Sequence, residues 1–560
     1  MRTKPNIRWQ LLLAIVCLGL VLSLLSYQVQ TASLCSTRVP AAGGSLAEGV
    51  VGAPRTLNPL LAGDNLVDRE LVSLIYDGLT RYNEQGELVP ALATSWEVGE
   101  EGRTVTFTMA EGVTWHDGEP VTAADVVFTY RLLQDETFPA PAGLRALWQP
   151  VTIEQQGDNT VTFTLPEPYS PFLDATTRGI LPAHLLGDVP PGEIAGHDFN
   201  QHPVGTGPFM VPADSNWRRS GRLHLLPNPS YWRQGVELDS LEFRFYPDFT
   251  ALLDAYRAGE LQAINNVPPP VLPEVAALPH TRLYSAPLPR YTQLLFNLGN
   301  EGAPALDQSD VRHALGYALD REQLLDEALN GQGIPLQGPY LPGSWAYNPG
   351  LLTLYGSRPL SATQLLEGAG WILGEGERIR QQDGELLSLR LLFVDAPGQR
   401  ALADAIASQW AEVGVASELR PVAGEAYATA LSEGAFDVAL TEVRPPGDPD
   451  LYDFWSQEAL VRGQNYAGWN SRRASEALEQ ARQLWEVSER RPFYDAFLQY
   501  FNQALPALSL YQHVYTYAVS DSVQNLEIGR IDHPRDRYET LAEWFLLYRD
   551  VTVSCPENGD

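Results

Sequence analysis

Thr104–Leu133 reads TVTFTMAEGVTWHDGEPVTAADVVFTYRLL, and its internal order decides the fold. The opening TVTFT alternates β-branched or aromatic side chains with hydroxyl side chains, the period-2 pattern of a strand with one buried face. The same five letters return at Thr160–Thr164. Each copy follows a turn, Glu100-Glu101-Gly102-Arg103 or Gln156-Gly157-Asp158-Asn159, so the two predict two antiparallel hairpins. Between them Thr122 opens a helix, with Asp125 in capping-box position and Val126, Val127, Phe128 and Tyr130 following. Residues from about 80 to 200 therefore read as α+β, a small domain of its own. Trp115-His116-Asp117-Gly118 sets a His beside an Asp, yet reads as a structural turn in which Trp115 packs and Asp117-Gly118 reverses the chain.

The second half changes style. Leu389–Val394, Val415–Val422 and Phe436–Val443 are short apolar strands, and Ala401–Val413 (with Trp410) and Tyr427–Ser432 are helices between them. Strand–helix–strand–helix–strand at this spacing implies parallel pairing with helices over the sheet. Upstream, Ser309 and Asp320 are expected to cap two helices. Downstream, Ala474–Ala504 is helical with a break expected near Pro492. In open α/β sheets ligands settle at the carboxyl ends of strands, and the loop after Val443 is such a place.

At 560 residues the chain is too long for one hydrophobic core. A 44% hydrophobic fraction with 24 Tyr, 18 Phe and 13 Trp excludes global disorder. Thirty-eight Lys+Arg against 69 Asp+Glu argues against nucleic acid, whose phosphates need a basic footprint. The start is a targeting device. Arg2, Lys4 and Arg8 flank an apolar or small run from Leu11 to Leu25, the form of a secretory signal. The run from Trp9 to Tyr27 almost spans a bilayer, so residues 1–33 are either a cleaved signal peptide or a retained membrane anchor, and the remainder is exported. Cys17 lies in the apolar run, which leaves Cys35 and Cys555 for the exported part. Two unrelated thiols, a disulfide joining the termini and a lipidated Cys35 all stay open. On the entropic model so long a loop is worth about 5 kcal/mol when closed.

Several further segments carry a resemblance. After TLNPLL (Thr56–Leu61) and LIYDGLTRYNEQGELVPALATSWE (Leu74–Glu97) come VGTGPF (Val204–Phe209) and YTQLLFN (Tyr291–Asn297). DQSDVRHALGYALDREQLL (Asp307–Leu325), NYAGWNS (Asn465–Ser471) and LPALSLYQHVYTYAVS (Leu505–Ser520) follow. In this order, over about 500 residues, the chain resembles the extracytoplasmic solute-binding proteins of the peptide/nickel/oligopeptide class, family 5 of the receptors that feed ABC importers. The resemblance implies an α/β, two-lobed periplasmic-binding-protein-like fold of type II, with an extra inserted α+β domain and hinge strands. It implies a linker at 34–49, lobe I at 50–80, 200–290 and 506–560, the insert at 81–199, and lobe II at 291–505. Tyr291–Asn297 and Leu505–Tyr511 would be the hinge strands. The ligand would lie between the lobes and be enclosed by hinge closure.

Peptide-binding members place an Asp shortly before a Gly-Asp-Pro-like turn, where it pairs with the peptide's ammonium. Here LTEVRPPGDPDLYDFW (Leu440–Trp455) puts Arg444 and Pro445 in that neighbourhood, and a cationic Arg444 would repel an ammonium. The nearest acids are Glu442, Asp448 and Asp450. Glu442 either substitutes for the missing acid or is a satisfied strand-end carboxylate. Trp345 and Tyr347 in the loop GPYLPGSWAYNPG, with Tyr466 and Trp469 about a Gly, are candidates for aromatic walls of a ligand cleft or for local packing.

The expectation is therefore an extracytoplasmic, monomeric receptor, without cofactor, that captures an oligopeptide-like ligand for an ABC permease and its ATPase subunits. An oligosaccharide receptor of the same fold is the alternative. Nickel has no His-rich or Cys-rich cluster to support it. A secreted hydrolase is the competing class, but the chain carries no HExxH pair and no GxSxG elbow, and neither exported Cys has a nucleophile's context.

Overall fold

The computed structural model describes residues 7–32, 34–63, 65–83, 86–99, 101–299, 301–529, 531, 534–538 and 540–554. An eleven-stranded sheet runs through two lobes. At one end Ser388–Val394 lies parallel to both Ala416–Val422 and Val438–Val443, with helices Pro397–Glu412 and Gly424–Ser432 in the crossovers. Parallel neighbours require such crossovers, and here the apolar spacing announces them. Trp410 on the first helix is fully buried, and its indole N–H donates to the Leu315 carbonyl at 3.1 Å. At the other end Ser45–Val51 lies parallel to Ala263–Ile264 and Ser240–Tyr246, and Arg222–Pro227 and Phe209–Met210 complete the sheet.

Two long antiparallel strands, Thr281–Phe296 and Ala507–Ser520, join the ends. Thr281–Pro287 pairs with Val514–Ser520 inside one lobe, and Tyr291–Leu295 pairs with Ala507–Gln512 inside the other. Between them the register shifts. The cause is local: Pro287 and Pro289 have no N–H to give the ladder. The Gln512 side-chain amide donates to the Leu288 carbonyl instead, at 2.9 Å. The expected hinge segments, Tyr291–Asn297 and Leu505–Tyr511, are thus one lobe's part of longer strands; the shift between Pro287 and Tyr291 lies beside them, and a second shift, between Thr292 and Gln293, lies within them.

The two TVTFT copies pair with each other. Thr104 faces Thr164, Phe107 faces Val161, and the outer strands Ala93–Val98 and Thr152–Gln156 make a four-stranded sheet. Helix Ala123–Gln134 covers it and carries the expected capping box, the Thr122 N–H donating to Asp125 at 2.8 Å. The unit is not a separate core, however. Phe107, Trp115, Tyr130 and Phe163 belong to one continuous apolar cluster with Leu46, Leu71 and Phe243. His116 reinforces the join: the Gly205 N–H donates to its Nδ1 at 3.1 Å and its Nε2 donates to the Gly207 carbonyl at 3.0 Å. Burial pushes this imidazole down to about 4, so it is neutral at pH 7. Gly205 is required here, because a Cβ would lie 1.9 Å from the Ile75 carbonyl oxygen.

Other expectations are corrected. Residues 34–49 are not a linker: Leu34–Ala41 pairs antiparallel with Leu547–Ser554, and Ser45–Val51 is an interior strand with Leu46 and Glu48 buried. The small residues around Gly43-Gly44 mark a tight turn, not flexible chain. Ser309 is the first residue of its helix and Gln308 its cap, whereas Asp320 caps Arg321–Leu329 by accepting from the Gln323 N–H at 3.0 Å. The break in the late helix falls at residues 484–486, between Arg472–Gln483 and Val487–Ala504, and Pro492 sits inside the second helix. The Cys35–Cys555 pairing falls outside the described residues, since Cys555 is not among them; strand register sets Cys35 opposite Val553.

Helix Ile7–Ala32 leaves its apolar side chains from Leu11 to Leu25 exposed. That stretch is about 22 Å of helix against a hydrocarbon core of about 30 Å. Among the described residues no helix is long and apolar enough to cross a membrane.

Trp410→Ala is expected to lower the stability of its lobe by about 3–5 kcal/mol, since it empties a full aromatic volume from a packed interior. The urea midpoint of that lobe's transition, followed by circular dichroism, checks this.

Candidate functional site

A chamber of about 1660 Å³ lies between the lobes. The sheet lobe holding Ser45–Val51 contributes Val67, Glu70 and Asn265; the attached α+β unit contributes Tyr82, Tyr169, Asp174 and Arg178; the opposite lobe contributes Tyr340, Trp345, Arg444–Asp450 and Arg490. Leu288, Pro289 and Arg290, at the shift between the long strands, also line it.

The loop after Val438–Val443 enters the chamber, as a strand's carboxyl end predicts. Its acids are already paired. Arg490 donates to Asp448 through both terminal nitrogens at 2.6 Å, the bidentate geometry of a strong ion pair. Arg482 donates to Asp450 at 2.7 and 3.1 Å, and the Tyr452 N–H adds a third bond at 3.0 Å. Burial nevertheless pushes the Asp450 carboxyl up to about 6, with Arg482 pulling the other way.

Glu442 does not line the chamber. Arg290 reaches it at 3.3 Å and Arg444 at 3.1 Å, with His513 3.9 Å away. Burial opposes its ionisation, but these neighbours, Arg290 foremost, hold the carboxyl below its ordinary range. Burial, with Arg290 next, pushes His513 down to about 3, so that imidazole is neutral. Glu442 is therefore a neutralised strand-end carboxylate, and Arg444, at the chamber's edge, is its partner.

The four aromatics separate. Trp345 lines the chamber, with the Arg490 guanidinium 4.9 Å from its ring centre and Tyr494 edge-on at 5.2 Å. Tyr347 and Tyr466 are half-buried against the apolar cluster behind it, and Trp469 is buried there, edge-on to Trp455 at 6.2 Å and to Phe501 at 6.0 Å. The aromatic-wall expectation thus fails for Tyr347, Tyr466 and Trp469, whose surroundings are core.

The lobes also touch across the chamber's far side. The Ser170 N–H donates to the Arg482 carbonyl at 2.8 Å, and the Trp485 indole N–H donates to the Gly102 carbonyl at 3.0 Å. The Arg482 guanidinium lies 4.8 Å from the Tyr169 ring centre and 4.1 Å from that of Tyr452. Gly447 meets Tyr82 so closely that a Cβ would come 2.2 Å from its hydroxyl.

The family model for bacterial extracellular solute-binding proteins, family 5 middle region, matches residues 87–459. The chain belongs to this family. Protein XP55 of Streptomyces lividans is 31% identical over 465 residues, covering 81% of this chain and 80% of that protein. The oligopeptide-binding protein AppA of Bacillus subtilis is 25% identical over 517 residues, covering 90% and 92%. Its structure with a nonapeptide superposes with a TM-score of 0.70 at 24% identity, over 91% of this chain and 100% of that one. CtaP of Listeria monocytogenes superposes at 0.77, also with 24% identity, over 90% and 99%. The two-lobed α/β architecture is thus the family 5 fold.

Sequence reasoning missed Asp174, Arg178, Arg482, Arg490 and Tyr82. The acids at 448 and 450 are legible in the Gly-Asp-Pro-Asp turn, but their guanidinium partners lie 42 and 32 residues downstream in helices that give no sign of facing it.

Gly447→Val is expected to push the loop off Tyr82 and part the lobes. Small-angle scattering should give a larger radius of gyration than wild type, and Trp485 should become more accessible to a fluorescence quencher.

Proposed function

We propose that this protein is the receptor of an ABC import system and that its ligand is an oligopeptide held between the lobes. The chamber carries this reading. At about 1660 Å³ it exceeds the ~300–1,000 Å³ of drug-sized ligand sites, so it suits an extended oligomer better than an ion or a single amino acid. Its wall mixes apolar surface with guanidinium and carboxylate groups, a surface that takes side chains of differing chemistry. The names of relatives agree: one is an oligopeptide-binding protein crystallised with a nonapeptide, and another, from Escherichia coli, is a dipeptide-binding protein. An oligosaccharide is favoured less, because Trp469 is buried in the core and Tyr466 packs against it, away from the chamber's lining.

The mechanism is a population shift. Among the described residues two strands, interrupted at Pro287 and Pro289, carry the chain between the lobes, so the lobes rotate at low cost. A ligand that touches both lobes binds the closed form better and draws the population toward it. The closed form is then what the permease, powered by its ATPase subunits, recognises. The receptor works as a monomer on the outer side of the cell membrane. The exposed apolar helix at the N-terminus supports export: it is either removed as a signal or covered by lipid as an anchor.

Native mass spectrometry of the protein purified under mild conditions should find bound peptides of several residues, which unfolding releases. A glycan mass in their place would sink the peptide reading. Intact mass of the mature chain should show either loss of the first 33 or so residues or their retention with detergent dependence.

A further inference from the structure

Among the described residues six carboxylates line the chamber. Glu87 and Asp453 are exposed to solvent. Asp448 is paired with Arg490, Asp450 with Arg482, and Glu70 with Arg537. Asp174 is neither exposed nor paired. It lies in the short helical turn Phe172–Ala175, on the α+β unit's side of the chamber, and the Tyr82 hydroxyl donates to its Oδ1 at 2.7 Å. Among the described residues no cation comes within 4.0 Å of it. Part of its surface faces the chamber, while protein surrounds the rest.

We propose that Asp174 receives the cationic end of the ligand, an ammonium group, in place of the acid that the loop after Val443 lacks. This rests on the peptide reading above, and it moves the charge-recognition site from the far lobe to the α+β unit. The Tyr82 hydroxyl occupies one oxygen of Asp174, which leaves lone pairs on the other for a donor from the ligand. Tyr82 itself abuts Gly447 of the opposite lobe, so an ammonium at Asp174 lies where the lobes converge. It would bridge Asp174 and the Gly447–Asp448 loop, and so favour the closed form.

The electrostatics agree. Burial pushes the Asp174 carboxyl up to about 6; the neighbouring Asp448 adds to the push, whereas the Tyr82 hydrogen bond, Arg178 and Arg69 act against it. A carboxylate left with a net shortage of positive charge gains from a ligand cation. Arg178 does not supply it: its guanidinium donates to the Pro59 carbonyl at 3.2 Å, and Arg69 lowers its own basicity after burial. The sign of the pH effect follows. The folded, ligand-free protein holds a proton on Asp174 between about pH 4 and 6 that the unfolded chain has lost, so this group's contribution to stability falls as pH rises through that window. Affinity for an ammonium moves the opposite way, rising as Asp174 ionises. Asp450 titrates in the same range but keeps Arg482, and substitution separates the two.

The experiment is calorimetric titration of the purified protein with peptides of three to six residues, each with a free or an N-acetylated amino terminus. Acetylation should weaken binding to the wild type by about thirtyfold or more, the scale of losing one partner of a desolvated charge pair. Asp174→Asn, which keeps an acceptor for Tyr82, should bind both forms alike, while Glu442→Gln should keep the wild-type ratio. Lowering the pH from 7.5 to 5 should weaken wild-type binding of free-amine peptides by about tenfold and leave Asp174→Asn unaffected by this group. Equal binding of the two peptide forms to wild type, or an undiminished ratio in Asp174→Asn, overturns the inference. If no peptide binds, putrescine, spermidine and glucosamine are the probes. Amine binding lost in Asp174→Asn then keeps the Asp174 site and sinks the peptide ligand; absence of any such binding sinks both.

Discussion

The structure depends on one shared ladder. Two strands, Thr281–Phe296 and Ala507–Ser520, are hydrogen-bonded to each other along both lobes, and the eleven-stranded sheet is continuous through them. A ladder of main-chain bonds is stiff; its register shifts between Thr292 and Gln293, and again where two prolines without N–H groups fall, before Tyr291. That place borders the chamber. The residues at that interruption thus line the chamber between the lobes.

The α+β unit follows from the same constraint. It shares its apolar core with the Ser45–Val51 lobe, and His116 and Gly205 tie the two together. Its reach then explains the contacts on the far side of the chamber, where Ser170 and Gly102 meet Arg482 and Trp485. Ladder and far-side contacts close the chamber from opposite ends.

Much of this was legible in the sequence. The twin TVTFT segments, the Thr122–Asp125 capping box and the strand–helix–strand run near residue 400 are local patterns with periods that only one element satisfies. Residues 34–49 misled because glycine and alanine read as flexible chain, while the buried strand Ser45–Val51 gets its identity from neighbours nearly 200 residues away. Trp469 and Tyr466 misled in the opposite sense: aromatics beside a glycine in a loop look exposed until the packed helix Val487–Ala504 is placed against them.

The sequence by itself determined the fold class and the position of the loop after Val443, because each is written in residues close together in the chain. Only the tertiary structure decided which carboxylates of that loop are already neutralised and which acid across the chamber is not. Charge pairing is a matter of distance in space: Arg490 and Asp174 reach the chamber, and Arg482 reaches Asp450, from segments whose separation in sequence carries no information about it. The family can therefore be read from segments in order between Thr56 and Ser520, while the chemistry of the chamber exists only once the two lobes face each other.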